Sequence, residues 1–598
     1  MGTLYNSIWR LITGERYYQP EINEKIIGID FGSSGLCYAY GYLDEQKGKH
    51  CFIGHFENQG RAQKILNEII LDHQLSKVLA FGNDCIPFLK SEHDKNLIFH
   101  HFKNIKMNLY NKVYKIKAVN SGKEADLEYI IKLILIQTKK KAIEQLRIQN
   151  PNLGENIRCI VTVPAIWDYK SKDIMLKASI ASGLITQEDD FSHIFALEPE
   201  AASLYFSHEN EDKIYRLKLI DEREKSFFLC DFGSGTVDIV THKTFIGEER
   251  TVFRELYPPV GNFLGSNKIN EYFIDRVIKP LIGEENLNKI KKELYEPENY
   301  GDWINFEKSI EEFKINFQRI EQINDFYEIN CELFEALDID ISEKIDNFNK
   351  NNKWKLSLSI KKRNKNKKSN NYKINFPNQI IYDFTFEIVN KAIDLIVPII
   401  DYMRTNEKDI KTLILCGGAS LSNIIYNIFS EHSSLKYIHV IRGKNPECSI
   451  AEGSVLYALD PFAIVQRKAK YALGVKCSQK LGGLEHHNVF SKIINKGDNV
   501  YSDQGMESIY YMNSSKATIE LYRTENNEVK FCDERDERGE LKIHKFGEYI
   551  IDVGEDFDKN NREILIRIKL GGTFVTSSAI YCKTNKQNKV VYLLNFLD

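Results

Sequence analysis

Two stretches of the chain place an acid, a short glycine-flanked turn and hydroxyl side chains between apolar runs. KIIGIDFGSSGLCYAY at 25–40 carries Asp30, Gly32, Ser33, Ser34 and Gly35; LCDFGSGTVDIV at 229–240 carries Asp231, Gly233, Ser234, Gly235, Thr236 and Asp238. A magnesium ion prefers oxygen ligands, keeps several of its waters and bridges nucleotide phosphates, so its site needs acids beside a phosphate-binding turn. Asp30 and Asp231 end their strands where they can reach metal-bound waters, and the turns Gly32 to Gly35 and Gly233 to Thr236 expose backbone N–H groups as anion nests. Facing one another across a cleft, two such turns hold one triphosphate. Taken singly, each is also what any tight turn between buried strands looks like.

Two further segments belong with these. In KTLILCGGASLSNIIYNIFSE at 411–431, Gly417 and Gly418 let backbone approach a flat ligand or a helix N-terminus; the same pattern is an ordinary strand-to-helix turn. In FALEPEAASLYF at 195–206, Glu198 precedes a proline and a small-residue helix, a place for a carboxylate that contacts a metal water, or simply a capped helix start.

The elements that must hold these residues alternate strand and helix from about residue 25, the pattern of mixed α/β layers. In ADLEYIIKLILIQTKKKAIEQL, Leu127, Ile130, Ile131, Ile134, Leu135 and Ala142 fall on one helical face and the lysines face water. The strand CIVTVPA at 159–165 leads into a second helix that Gly183 is suited to end. Residues 341–376, rich in Lys and Asn, read as a mobile, solvated insertion rather than a nuclear-localisation patch. From 464 to 598 the pattern has period two, with Gly571 and Gly572 able to turn between strands, a β-rich C-terminal domain without a helical lid. His486 and His487 read as a surface loop, since only Glu485 accompanies them as a metal ligand.

At 598 residues the chain holds several packing units. Its 81 Lys and Arg against 84 Asp and Glu leave a formal charge of −3, which gives no general argument for nucleic acid or an anionic membrane. No apolar run is long enough to cross a bilayer. Eleven cysteines without a C-x-x-C pair, several in strand-like runs such as Cys230, Cys416 and Cys582, read as buried reduced thiols of a cytoplasmic protein, with nuclear entry left open. Residues 1–24 read as a short leader: the start resembles a myristoylation signal, but Asn6 stands where Ser or Thr is needed.

The order of the four segments resembles the actin-like ATPase superfamily and, within it, the 70 kDa heat-shock chaperone family. IGIDFGSSG looks like its first phosphate motif, VTVPAIW with LEPEAAS like its first connecting motif, CDFGSGTVD like its second phosphate motif, and LILCGGAS like its adenosine motif. ALEPEAAS, NIKMNLY, VLYALDP and the short β tail are similar to the divergent heat shock 70 kDa protein 12 branch.

The resemblance implies a two-lobed ATPase of duplicated ribonuclease-H-like domains. Lobe I spans about 25–220 and lobe II about 221–410, with a return through the adenosine motif at 411–463 and a truncated substrate-binding-like β domain at 464–598. ATP or ADP with Mg²⁺ is the implied cofactor. Asp30 and Asp231 hold metal waters with Glu198 nearby; Ser33, Ser34, Gly233, Ser234, Gly235 and Thr236 line the phosphates; Thr236 helps place the attacking water; and Asp238 closes its motif. Lys106, with Lys103 as the other candidate, matches the family's lysine near the γ-phosphate. Glu311 and Lys314 match ribose and adenosine contacts, and Gly417 and Gly418 the purine-side turn. A chaperone-like, slowly hydrolysing ATPase follows, a monomer whose β domain meets protein or peptide partners. The alternative is a non-hydrolysing nucleotide sensor or scaffold of the same fold; a sugar or glycerol kinase fits less well.

The chain departs from this pattern in three places. Ile315 and Leu421 replace two arginines on the base side, each worth on the order of 1–2 kcal/mol by stacking and packing. The interdomain linker is basic, with Arg467, Lys468 and Lys470, where the parent family has an apolar, acidic one.

Overall fold

The computed structural model describes residues 25–593, apart from 92–96, 150–156, 186–194, 208–223, 247–250, 294–299, 331–339, 362–370 and some shorter interruptions. The leader and the basic centre of the Lys/Asn-rich segment lie outside the described residues.

Two seven-stranded sheets repeat one plan. In the first, β1 (Lys25–Phe31), β2 (Gly35–Asp44), β3 (Gly48–Cys51), β4 (Ile157–Val163) and β5 (Phe195–Leu197) run in the order β5-β4-β1-β2-β3, with two short segments also paired to β2. In the second, β6 (Glu224–Phe232), β7 (Val237–Ile246), β8 (Thr251–Asn262), β9 (Thr412–Cys416) and β10 (His439–Arg442) run β10-β9-β6-β7-β8, continued by β11 (Ile464–Lys468) and β12 (Asn499–Tyr501). Each sheet is a hairpin flanked on one side by two parallel strands, β4 and β5 beside β1, β9 and β10 beside β6. The central strands are covered on both faces, which is why they read as nearly continuous apolar runs and not as alternating ones.

Helices cover the sheets. The first half holds α1 (Ile105–Tyr110), α2 (Leu127–Gln149), α3 (Tyr169–Ala181) and α4 (Glu198–Ser207). All six apolar residues picked out on α2 are fully buried. Asp168 caps α3 by accepting from Ser171 N at 2.8 Å, and Gly183, at φ +66°, follows its end as the sequence suggested. The second half holds α5 (Tyr300–Ile320), α6 (Ile341–Asn351), α7 (Gln379–Thr405), α8 (Asn423–Glu431) and α9 (Ser449–Leu459).

The small residues of α9 serve close packing. A Cβ on Gly453 would lie 1.8 Å from Ala201 O of α4, and one on Gly28 of β1 would lie 2.1 Å from Ser454 Oγ. Between the sheets, Ile26 and Ile160 of the first share one buried cluster with Phe227, Leu229 and Ile414 of the second and Val455 of α9.

Four sequence expectations need correction. Residues 341–376 are not simply a loop. Residues 341–351 form α6, capped by Asp340, with Ile345 and Phe348 buried, and Ser357–Lys361 and Phe326–Asn330 both pair with Asn371–Pro377; the few apolar residues, spaced at i and i+3, suffice to anchor the helix. The boundary at 464 is not a clean break, because β11 and β12 extend the second sheet. Cys582 is exposed, unlike Cys230 and Cys416, because it lies just past the end of its strand. His486 and His487 lie within the strand Leu484–Ile494, which pairs with Ala472–Leu481.

The remaining C-terminal strands form two four-stranded antiparallel sheets. Leu473, Leu521 and Ile551 of one and Ile566 and Ala579 of the other share a buried core, as the period-two pattern requires. Among the described residues no helix is long and apolar enough to cross a membrane.

Candidate nucleotide-binding site

The two glycine turns join the central hairpins and meet. β1 and β2 pair down to Phe31 with Leu36, leaving Gly32 to Ser34 as the turn; β6 and β7 pair down to Phe232 with Val237, leaving Gly233 to Thr236. Ser34 donates its backbone N–H to Ser234 Oγ at 3.2 Å. The turns approach closely at Gly235, where a Cβ would lie 2.3 Å from Ser33 Oγ and 2.6 Å from Met107 Sδ. The second turn is closed by Gly233 N donating to Thr236 O at 3.0 Å and braced from behind by Ser266 N and Asn267 N donating to Gly233 O and Ser234 O. Asn67 Nδ2 donates to Gly32 O at 2.8 Å and steadies the first.

Four carboxylates are buried around this junction: Asp30, Glu198, Asp231 and Asp238. Asp231 and Asp238 sit opposite one another in the β6–β7 ladder. Lys106, from α1, is buried among them and donates to Glu198 Oε1 at 2.5 Å. The crowding shows in the acidities. Burial pushes Glu198 up to about 7, with the charges of Asp30 and Asp231 adding to it and Lys106 opposing it. Burial, then Asp238 and Asp30, raise Asp231 to about 7. Burial and Glu198 do the same for Asp238.

This donor set fits a divalent cation held through its waters. Asp231 Oδ1 is buried without a hydrogen-bond donor, and a Cβ on Gly417, at φ +79°, would lie 2.3 Å from it. Among the described residues no three His, Cys, Asp or Glu side chains converge closely enough to grip an ion directly.

The remaining candidates divide. Of the two lysines, Lys106 is at the acid cluster, while Lys103 pairs with Glu307 of α5 at 2.5 Å. Glu311 and Lys314 pair at 2.6 Å, and Lys314 Nζ also reaches Ser266 O at 3.4 Å, so both stand directly behind the second turn. Gly417 and Gly418 follow β9 beside Asp231. Ile315 is 36% and Leu421 52% exposed.

Sequence reading missed two cations. Lys64 Nζ lies 3.9 Å from Asp30 Oδ2 and 3.9 Å from where a Cβ on Gly418 would be, and so spans the first turn and the Gly-Gly turn. It precedes Ile65–Leu66, which pair with Leu36 and Gly35, and only that strand register brings it here. Arg442, at the end of β10, donates to Ser420 O at 3.2 Å and Leu421 O at 3.0 Å, placing a guanidinium behind the exposed Leu421.

A repeated five-strand plan with a hairpin turn from each copy facing the other over buried acids is consistent with the actin-like ATPases, an ATPase-type nucleotide-binding fold. The chain is 23% identical over 657 residues to mouse (Mus musculus) heat shock 70 kDa protein 12A, covering 96% of this chain and 92% of that protein. The human (Homo sapiens) 12A protein matches at 23% over 661 residues with the same coverage. Human heat shock 70 kDa protein 12B matches at 23% over 325 residues, 45% of this chain and 46% of that protein. These similarities bear out the resemblance to the divergent heat-shock-70-like branch. No family model matches the chain.

Proposed function

We propose that the protein is a Mg²⁺-dependent, ATP-binding, chaperone-like ATPase of low turnover, in which nucleotide state sets the closure of two lobes. The observation that carries this is the direct meeting of the two turns, through Ser34 N to Ser234 Oγ, beside four buried carboxylates and Lys106.

In this reading lobe I (about 25–220) and lobe II (about 221–410) each contribute one phosphate turn, and the segment 411–463 contributes Gly417 and Gly418 on the purine side. Asp30 and Asp231 would hold the waters of the metal, whose charge would neutralise the phosphates when it is bound. The backbone N–H groups of the turns and the hydroxyls of Ser33, Ser34, Ser234 and Thr236 orient the phosphate chain. Lys106, released from Glu198, faces the terminal phosphate. Glu198 and Thr236 then position a water for in-line attack, and Asp238 holds Thr236 in place. Positioning and charge carry such a reaction, with little covalent work for the protein. The C-terminal β region, 464–598, would present its surface to a protein or peptide partner in the cytoplasm.

Exposed Ile315 and Leu421 favour a second reading, a sensor that binds nucleotide and barely turns it over. A single-turnover assay with γ-labelled ATP separates the two. Release of labelled phosphate that is lost in Lys106→Ala supports the ATPase; no phosphate over hours, with a nucleotide-dependent rise in melting temperature, supports the sensor.

A further inference from the structure

Away from the nucleotide site, a half-open cavity of about 500 Å³ lies where α3 and the end of α1 meet the linker and the C-terminal β region. That volume falls within the range of small-molecule sites, roughly 300–1,000 Å³, and is small for a folded partner. The wall comes from three separate parts of the chain: Trp167, Asp168 and Ser171 from the first half, Lys470 from the linker, and Arg523 and Lys542 from the β region.

The lining is electrostatically one-sided. Lys112, Lys470, Arg523 and Lys542 bring four cations, with His544 beside them, against two carboxylates, Asp168 and Glu525. Asp168 Oδ1 caps α3 while its Oδ2 is buried without a hydrogen-bond donor, Glu525 pairs with Lys496 at 3.4 Å, and on the cationic side Lys542 pairs with Glu534 at 3.2 Å. Just behind the wall Lys172 is buried as well, and burial together with the charges of Lys470 and Arg467 holds its ammonium down to about 7. Arg523 is almost fully buried, its guanidinium 4.8 Å from the Tyr471 ring centroid. A pocket that gathers like charges has the chemistry of an anion site.

We propose that this cavity binds a small phosphate-bearing anion that joins the linker and the β region to the first half of the chain. Arg523 and Lys470 would take the charge at the back and mouth, and Lys112 and Lys542 would close the rim. The site borders the catalytic centre proposed above: the Trp167 ring centroid lies 5.9 Å from Lys106 Nζ. A bound anion would therefore be sensed one side chain away from the Lys106–Glu198 pair.

The test is a titration of the full chain with pyrophosphate, without nucleotide or Mg²⁺, read by calorimetry and by tryptophan emission. The expected result is saturable binding that weakens with salt, about tenfold weaker in Lys112→Gln and again in Lys542→Gln, and still saturable in Lys106→Ala. Trp167→Phe should remove the emission change and retain the fold. Both rim residues are at least partly solvent-exposed, so their variants should melt like the native protein. Absence of saturable binding overturns the proposal. So does binding that is lost in Lys106→Ala but indifferent to Lys112 and Lys542, because the anion would then sit in the nucleotide cleft, a result that leaves the ATPase reading standing.

Discussion

Lys106 and Glu198, 92 residues apart in the chain, form a buried ion pair at 2.5 Å among three further buried carboxylates, Asp30, Asp231 and Asp238. The pair is the electrostatic hinge of the site. Lys106 lowers the cost of keeping Asp231, Asp238 and Glu198 together. Removing one partner leaves the other charge buried alone. Lys106→Met should therefore lower stability by about 3–5 kcal/mol, and the double variant with Glu198→Gln should recover a large part of it. Denaturant unfolding of the two singles and the double measures this; equal additive losses would contradict a coupled pair.

Asp231 gives a pH test. Its carboxyl is raised to about 7 in the folded protein, by burial first and by Asp238 and Asp30 next, against roughly 3.9 in an unfolded chain. Protons therefore bind the folded state more tightly, and the stability this contributes is full below about pH 4 and lost as pH rises through about 7. Asp231→Asn imitates the protonated form. It should melt a few degrees above the native protein at about pH 8, and the gap should narrow to roughly a third at about pH 5 and close below about pH 4. The same variant should lose the Mg²⁺-dependent part of any nucleotide-induced rise in melting temperature. A gap that is constant with pH would show that Asp231 is ionised throughout.

Gly235→Ala tests the contact of the two turns. The added methyl would lie 2.3 Å from Ser33 Oγ and 2.9 Å from Ser33 Cβ, so the first turn must shift to admit it. Nucleotide affinity should drop at least tenfold while the unfolding transition stays cooperative; unchanged affinity would mean the turns do not grip the phosphates together.

On the base side, Ile315→Arg and Leu421→Arg return the guanidinium groups that the resembling family uses. Both side chains are exposed, so the longer residue has room. Each change should tighten ATP binding by roughly tenfold and sharpen the preference for ATP over GTP, measured by calorimetry.

The phosphate half of the site was legible in the sequence because its function lies in short local segments: strand, acid, turn, strand. Asp30 with its turn and Asp231 with its turn could be found without knowing how the chain folds back. Gly417 was readable for the same reason, and the structure adds the cause, its approach to Asp231. Lys64 and Arg442 were not legible because each reaches the site only through long-range pairing, Lys64 through the register of Ile65–Leu66 with β2 and Arg442 through the end of β10. The linker was half legible. Its positive charge was plain, but not that Arg467 would be buried in an ion pair with Glu200 while the strand around it joins the second sheet. Composition misjudged residues 341–361, where a helix survives on two buried residues spaced three apart.

The most direct measurement is a calorimetric titration of the native protein with ATP, ADP and GTP, each with and without Mg²⁺, repeated on Asp231→Asn. The expected result is saturable adenine-nucleotide binding that weakens at least tenfold on chelation of Mg²⁺, with no such dependence in the variant. Absence of binding by any of the three at millimolar nucleotide, or identical affinities with and without the metal in the native protein, would contradict a Mg²⁺-nucleotide site between the two turns.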